Sequence, residues 1–232
     1  VLLCASLFFY YWGEPKYLVL MVASILAGYV FGILIDRCRH KRLMLTLGTA
    51  LCLVALLYFK YADFFIGNLN RLTGASLPLL KIALPIGISF YTFQIAAYII
   101  DVYRGRVPVE KSFIRLGTYV TMFPQLIAGP IINYSEVRMA LCSRTVTFEQ
   151  FESGLKTLIL GLGAKVIVAD RIGLLWNNIQ AIGFESISTP LAWMGAFAYS
   201  IELYFDFSGY SLMALGLGRM LGFESVSYTH LR

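Results

Sequence analysis

The sequence predicts an all-α protein, a polytopic bundle of transmembrane helices in which some helices are re-entrant or broken. Of its 232 residues 59% are hydrophobic and 14% are charged, whereas soluble domains carry about 25% charged residues. The apolar run from Leu84 to Gly105 is long enough to cross a bilayer, yet it contains Pro85, Gly87, Gln94 and Asp101. Polar groups in hydrocarbon are costly unless the protein satisfies them, so we expect them to face a bundle interior or a water-filled cavity.

Charge and cysteine content exclude several classes of protein. The net charge is +6, but much of the basic excess lies in short loops such as Arg37–Arg42. This distribution is typical of cytoplasmic loops of a membrane protein, so we predict contact with membrane lipid and no nucleic-acid partner. The two histidines are too few for the usual zinc clusters, and no CxxC pair occurs. We therefore predict no metal site and four free thiols, Cys4, Cys38, Cys52 and Cys142.

The first half of the chain alternates apolar runs with loops. Tyr17–Ile35 is predicted to be a membrane helix, and the basic hairpin Arg37–Arg42 that follows it is predicted to be cytoplasmic. Leu43–Phe59 then leaves the cytoplasm, and the polar and turn-forming residues of Tyr61–Leu80 predict a short external connection. Leu84–Ile100 returns to the cytoplasmic side.

The segment Phe113–Ile132 is long enough to cross the membrane but contains helix breakers. These are Pro124 and the pair Gly129–Pro130. A full crossing would place Arg138 and Arg144 outside, whereas a segment that enters and returns keeps them with the other basic loops. We therefore predict a re-entrant loop.

A capping box marks the start of the next helix. Thr147 is followed three residues later by Gln150, which together can satisfy the first free backbone N–H groups of a helix. The apolar pattern predicts that this helix ends at about Ala169. The basic residues Lys156 and Lys165 leave its orientation open.

The last apolar block, Pro190–Phe223, is too long for one perpendicular membrane helix. As a single helix it would measure on the order of 50 Å, against about 30 Å for the hydrocarbon core. Such a helix must either tilt steeply or break. If it breaks, we predict the break at Phe207–Gly209, directly after the carboxylates Glu202 and Asp206, which lie four residues apart on one helix face.

Two glycine patterns predict close helix packing. Gly28 and Gly32 have the GxxxG spacing that lets another helix approach. Gly216, Gly218 and Gly222 superficially resemble a nucleotide-binding loop, but no strand precedes them, and we interpret them as packing residues.

Three segments together resemble the membrane-bound O-acyltransferase family: Pro85–Gly105, Met122–Ile131 and Glu202–Phe223. The resemblance is greatest to the branch that contains the membrane subunit for alginate O-acetylation, and teichoic acid D-alanine transfer is more distant. Many members of the branch have an acidic residue where this chain has Leu212. The resemblance implies that residues 1–224 are the amino-terminal part of one truncated membrane domain of this fold, and we interpret residues 225–232 as a non-native tail.

The resemblance also implies an activity. Proteins of this family move an acetyl or similar acyl group from a cytoplasmic thioester donor, acetyl-coenzyme A or an acyl carrier, to a polysaccharide hydroxyl outside the bacterial cytoplasmic membrane. An extracytoplasmic acetyltransferase partner and no bound cofactor are expected. The family's catalytic histidine would lie beyond residue 232, because neither His40 in a cytoplasmic loop nor His230 in the tail is suitably placed. Residues 1–232 alone are therefore predicted to be inactive.

Five polar residues are candidates for lining the substrate path. Each has a structural alternative, either interhelical hydrogen bonding or, for the carboxylate, holding a broken helix together. Asp101 is predicted instead to pair with Arg104 at the membrane interface. The candidates are Tyr91, Gln94, Gln125, Asp206 and Tyr210.

Two functions other than catalysis are compatible with this pattern. Broken helices with carboxylates at membrane depth also occur in transporters, so a polysaccharide or ion carrier is one alternative. A non-catalytic scaffold that recruits a soluble transferase is the other. A histidine at membrane depth in the downstream sequence would favour the enzyme.

Overall fold

The computed structural model describes residues 1–126, 132–143, 145–183 and 186–223. Over these residues the chain forms helices joined by turns and loops, without a β-strand, which confirms the predicted all-α class. The helices are α1 (Leu2–Gly13), α2 (Leu18–Arg37), α3 (Lys41–Thr73), α4 (Ile88–Tyr103), α5 (Phe113–Thr121), α6 (Phe123–Leu126), α7 (Tyr134–Cys142), α8 (Phe148–Gly163), α9 (Asp170–Ile182) and α10 (Thr189–Met220).

The chain divides into two compact units, the first containing α1 to α7 and the second α8 to α10. In the described part of the chain, two helical segments are long and apolar enough to cross a membrane, Pro15–Arg37 and Lys41–Thr73. The expectation of a single membrane domain over residues 1–224 stays a prediction.

Helix α2 packs closely against α4 in the first unit. A methyl group added to Gly28 would lie 2.5 Å from Cγ2 of Ile95, and one added to Gly32 would lie 3.0 Å from the ring of Tyr98. The close approach predicted from the GxxxG spacing is therefore confirmed.

Helix α3 is longer than predicted. It runs for 33 residues and ends at Gly74, which adopts a left-handed conformation with φ of 68°. The prediction that the helix stops at Phe59 is wrong, because Asp63 and Asn70 do not mark a loop. Both side chains lie on the helix and hydrogen-bond to the segment that follows it.

Residues 74–87, which we call the strap, follow α3 without regular secondary structure and are tethered by side chains from the helices. Two tethers come from α3, one from α1 and one from the turn before α2. Every tether ends on a backbone atom of the strap, so each replaces a hydrogen bond that a regular element would have made. The contacts are Asn70 with N–H and C=O of Leu77 (3.0 and 2.9 Å), Asp63 with N–H of Leu80 and Lys81 (2.6 and 2.9 Å), Tyr17 with C=O of Ala83 (2.9 Å) and Tyr10 with C=O of Ile86 (3.2 Å).

The second unit is a long helical hairpin. Helix α8, a π-helical turn over Ala164–Ala169 and α9 form one continuous rod from residue 148 to 182. The capping box of Thr147 and Gln150 is confirmed, whereas the predicted helix end at Ala169 is wrong, because the hydrogen-bond pattern changes there without the helix ending.

Helix α10 is unbroken from Thr189 to Met220, so the predicted break at Phe207–Gly209 is wrong. Gly209 serves for packing: a methyl group there would lie 2.9 Å from the carbonyl oxygen of Gly161 on α8. Seven residues further along, one on Gly216 would lie 2.7 Å from the carbonyl oxygen of Gly154. The two helices run antiparallel with their backbones in contact, and the packing role predicted for Gly216 is confirmed.

The hairpin between α2 and α3 provides a test of orientation. All four cysteines are free, and Cys38 is half-buried at the end of α2. In a variant whose only thiol is Cys38, we expect a membrane-impermeant maleimide to leave intact bacterial spheroplasts unlabelled and to label them after permeabilisation, since basic loops stay in the cytoplasm. Thr73→Cys, at the far end of α3, is the matched control and should be labelled in intact spheroplasts. The opposite pattern would invert the orientation.

Candidate functional site

Helices α1, α4 and α6 meet in the first unit, and we call this place the junction. The rings of Phe9 on α1 and Phe123 on α6 are 5.7 Å apart. The residue before α4, Gly87, has a φ of 73°, and a methyl group added to it would lie 2.7 Å from the carbonyl oxygen of Leu126. Only glycine combines that backbone conformation with so close an approach. The tether from Tyr10 to Ile86 joins α1 to the same place.

The break that positions α6 lies at Met122. Helix α5 ends at Thr121, and Met122 takes a ψ of 106°, which is outside the helical region. Pro124 follows at the second position of α6, where its missing N–H leaves no helical hydrogen bond unmade. A break in this segment was predicted, although the pair Gly129–Pro130 lies outside the described residues, and the re-entrant course stays a prediction.

Three of the five predicted path residues are buried in the first unit. The exposed fraction is 0% for Tyr91, 2% for Gln94 and 4% for Gln125. The Tyr91 hydroxyl and the Oε1 atoms of both glutamines have no hydrogen-bond partner among the described residues. Buried polar atoms in native proteins are nearly always hydrogen-bonded, so unpartnered ones require an explanation.

The other two predicted residues, Asp206 and Tyr210, lie on α10 in the second unit and share a partner that sequence reasoning missed. Lys165 Nζ lies 2.5 Å from Asp206 Oδ1 and 2.8 Å from Asp170 Oδ1. The same ammonium lies 6.0 Å from the centre of the Tyr210 ring, within range of a cation–π interaction.

The π turn explains why Lys165 and Asp170 lie side by side. A π turn bonds residue i to i+5, and the N–H of Asp170 donates to the carbonyl oxygen of Lys165. Residues five apart therefore lie above one another, whereas in an α-helix they would point in different directions. On α10, Glu202 lies one turn before Asp206, and its Oε1 would be 2.5 Å from a methyl group added to Gly173 on α9.

The ion pair predicted at the end of α4 has a different partner. Asp101 pairs with Arg106, at 3.6 Å between Nη1 and Oδ1, and the prediction of Arg104 is wrong. Arg104 continues the helical conformation as the cap of α4, whereas Arg106 follows the turn at Gly105, which has a φ of 70°. The turn brings the later arginine back to the carboxylate.

A second polar cluster, around Glu110, was also missed. The Glu110 carboxylate accepts a hydrogen bond from the Tyr134 hydroxyl at 2.5 Å and from the N–H of Ser112 at 2.8 Å, and Arg115 lies 3.7 Å away. Burial, and secondarily the hydrogen bond to Glu110, raises the pKa of Tyr134. Every oxygen of this carboxylate has a partner, so the cluster joins the loop before α5 to α7 and leaves no group available for a ligand.

The predicted residues therefore fall into two sets with different chemistry. In the first unit the set is neutral and buried, and its tyrosine hydroxyl and two amide oxygens have no hydrogen-bond partner among the described residues. In the second unit the set is charged, partly exposed and paired internally. The neutral set can orient a polar ligand, whereas Lys165 and Asp206 neutralise each other.

The fold and the site define a class of protein. It is a helical protein with candidate membrane spans, and some of its buried polar groups have no hydrogen-bond partner among the described residues. The chain is 40% identical to the "Probable alginate O-acetylase" of Pseudomonas aeruginosa, over 97% of this chain and 44% of that protein. It is 34% identical to the peptidoglycan O-acetyltransferase of Helicobacter pylori, over 94% of this chain and 47% of that protein. No protein-family model matches the chain.

A more distant relative is also named as a transferase that acts on an envelope polymer. The chain is 26% identical to the teichoic acid D-alanyltransferase of Bacillus subtilis, over 60% of this chain and 36% of that protein. The chain spans less than half the length of these curated relatives. The similarities support a protein of the membrane-bound O-acyltransferase type, as the three sequence segments indicated.

Proposed function

We propose that the whole protein is an integral membrane enzyme that transfers an acyl group to hydroxyls of a cell-envelope polysaccharide. The observation that carries this proposal is 40% identity over 97% of the chain to a protein named as an O-acetylase. The relatives from H. pylori and B. subtilis are also named as acyltransferases, and their names specify other envelope polymers. The shared element is acyl transfer, so the acyl group is proposed to be acetyl or similar.

The donor, location and partner are part of the same proposal. A thioester on the cytoplasmic face would supply the acyl group, and the protein would cross the cytoplasmic membrane several times. An extracytoplasmic acetyltransferase would act with it. The general base would be a histidine, whose ordinary pKa suits proton removal from a hydroxyl near neutral pH.

A chimera tests the proposal directly. Residues 1–223 replace the matching part of the P. aeruginosa relative in a strain that lacks that relative, and O-acetyl esters on alginate are measured by NMR. We expect the chimera to restore acetylation and residues 1–232 alone to give none. The matched control is the unaltered relative expressed at the same level. A chimera that reaches the membrane in equal amount, yet leaves alginate without acetyl groups, would contradict the proposal.

A further inference from the structure

The first end of α2 marks the membrane surface beside the strap. Helix α2 has 20 residues, which measure about 30 Å and match the thickness of the hydrocarbon core. Tyr17, directly before α2, has its ring 5.8 Å from the ring of Phe59 on α3. The Tyr17 hydroxyl also donates to the carbonyl oxygen of Ala83 in the strap, at 2.9 Å. With the basic hairpin after α2 at one membrane surface, these three residues lie at the opposite surface.

Two lysines lie close together at this level. The Asp63 carboxylate accepts hydrogen bonds from the N–H of Leu80 and of Lys81, at 2.6 and 2.9 Å, so the backbone of Lys81 is fixed beside α3. Lys60 precedes Asp63 by three residues, which places it on the same side of α3 one turn nearer the membrane centre. Both lysines are exposed, and neither forms an ion pair with another described residue. The two lysines outnumber the single carboxylate, so the cluster is net positive.

The backbone of Lys81 has a conformation that is unusual for a lysine. Its φ is 48°, and in the described part of the chain it is the one residue other than glycine with a positive φ. Glycine adopts this conformation without a steric penalty, whereas a residue with a side chain is strained there. Such strain is a reason to look for a function. Because the backbone alone would favour glycine, the ammonium group is the part of Lys81 that requires an explanation.

A small cavity lies between α3 and the strap beside the two lysines. Its volume is about 160 Å³, below the range of sites that enclose a whole small molecule, about 300–1,000 Å³. The cavity can therefore hold a segment of a chain but not a complete ligand. Its lining residues include Tyr58, Phe59, Lys60, Leu80, Ile82 and Leu84.

We propose that Lys60 and Lys81 bind the phosphate of an anionic phospholipid, one acyl chain of which enters the cavity between α3 and the strap. The depth of this site in the membrane rests on the membrane location that is part of the proposed function. The lysine pair and the cavity do not depend on acyl transfer.

The surroundings of the lysines favour a lipid over a soluble anion. Leu80 is 47% exposed and Leu84 is 49% exposed, so apolar side chains flank Lys81 at the depth where acyl chains meet headgroups. Lysines at that depth extend to the phosphates while their carbon stems stay with the chains. A soluble phosphate or an acidic sugar would contact the ammonium groups and leave the leucines in water. The tethers also satisfy backbone groups of the strap, as a segment in a water-poor layer requires.

The binding test measures the affinity of the complete protein in detergent for phosphatidylglycerol by native mass spectrometry. We expect Lys60→Gln and Lys81→Gly each to weaken binding of the first lipid about fivefold, the contribution of one basic residue near an anionic surface. Arg71→Gln is the matched control, because Arg71 lies on the same helix about 12 Å further from the membrane than Asp63. It should leave the affinity unchanged. Equal affinities in all three variants and the unaltered protein would overturn the proposal.

Lys81→Gly also separates binding from folding. Glycine accepts the φ of 48°, so we expect the melting temperature in lipid-free detergent not to fall. Phosphatidylglycerol should raise the melting temperature of the unaltered protein more than that of Lys81→Gly, because a ligand stabilises the folded state that it binds. A lower melting temperature of Lys81→Gly without lipid would assign the ammonium group a structural role and overturn the proposal.

The cavity has its own matched pair of variants. Leu84 lines it, whereas Leu79 is on the same strap, is 47% exposed and does not line it. We expect Leu84→Gln to weaken binding of long-chain phosphatidylglycerol and Leu79→Gln not to do so. Equal losses would show that the strap is general lipid-facing surface and would overturn the assignment of a site.

Competing ligands identify the source of the anion. Neither inorganic phosphate nor a short oligosaccharide of uronic acids should displace phosphatidylglycerol from the unaltered protein. Displacement by phosphate would show a site for a free anion, and displacement by the oligosaccharide would show a site for an acidic polysaccharide. Either result would overturn the assignment to a lipid.

Lipid binding and acyl transfer are measured on the same preparations, which separates this inference from the proposed function. Phosphatidylglycerol binding that Lys60→Gln and Lys81→Gly weaken, in a complete protein that transfers no acyl group, would retain the site and reject the enzyme. Acyl transfer by a protein whose lipid affinity is the same in both variants would retain the enzyme and reject the site.

Discussion

Replacing Gly161 with leucine is expected to prevent the second unit from folding. A methyl group at this position would lie 2.7 Å from both the carbonyl oxygen of Gly209 and the N–H nitrogen of Met213. These are backbone atoms of α10, so no side-chain rotation can relieve the clash. Overpacking typically costs about 1–3 kcal/mol, and we expect more than about 3 kcal/mol here because two helices must separate along their length.

Gly163→Leu is the matched control, because Gly163 lies on the same helix and a methyl group there would meet nothing within 4 Å. The measurement is the yield of monodisperse protein in detergent together with its thermal unfolding. Gly161→Leu should be recovered poorly, whereas Gly163→Leu should behave like the unaltered chain. Similar yields for the two variants would show that α8 and α10 do not depend on this glycine contact.

Reversing the charge at Asp206 is expected to produce the second large loss of stability. Asp206→Lys places a second cation beside Lys165, which then retains only Asp170 as its partner. Breaking a buried pair costs about 3–5 kcal/mol. The Asp206 side chain is 38% exposed, so solvent screening should reduce the loss to about 2 kcal/mol.

A surface pair provides the control for this charge reversal. Lys156 and Glu152 lie 2.6 Å apart with side chains 71% and 51% exposed, and Glu152→Lys should lower the melting temperature much less than Asp206→Lys because solvent screens an exposed pair. Thermal unfolding measures both variants. Equal losses would show that the pair at the π turn is no more important than an ordinary surface ion pair.

Asp206→Asn separates stability from function at the same position. It preserves the shape of the side chain and removes the charge. Normal unfolding with a loss of acyl transfer in the complete protein would place Asp206 on the substrate path, as the sequence suggested. Normal unfolding with normal transfer would leave it only the role of pairing with Lys165.

Local patterns in the sequence predicted local structure well. Thr147 and Gln150 lie three residues apart and form the predicted cap, and the spacing of Gly28 and Gly32 predicted a close neighbour. Gly209 was misinterpreted as a helix breaker because a glycine in an apolar helix can either break it or allow packing. The residue that decides between these, Gly161, lies 48 positions away, and nothing near Gly209 indicates it.

The candidate site was predicted in part for the same reason. Burial of Tyr91, Gln94 and Gln125 could be predicted, because polar residues within apolar runs must face inward. Lys165 was interpreted as an orientation signal, because the π turn that places it beside Asp170 has no recognised sequence pattern.

The strap has a consequence for sequence variation. Its tethers come from side chains of Asp63, Asn70, Tyr10 and Tyr17 and end on main-chain atoms. The identity of the strap's own side chains is therefore not specified by these bonds, and leucines such as Leu79 are exposed. Mutations can alter the chemistry of this surface while the path of the chain stays the same. The strap can therefore evolve new contacts without a new fold.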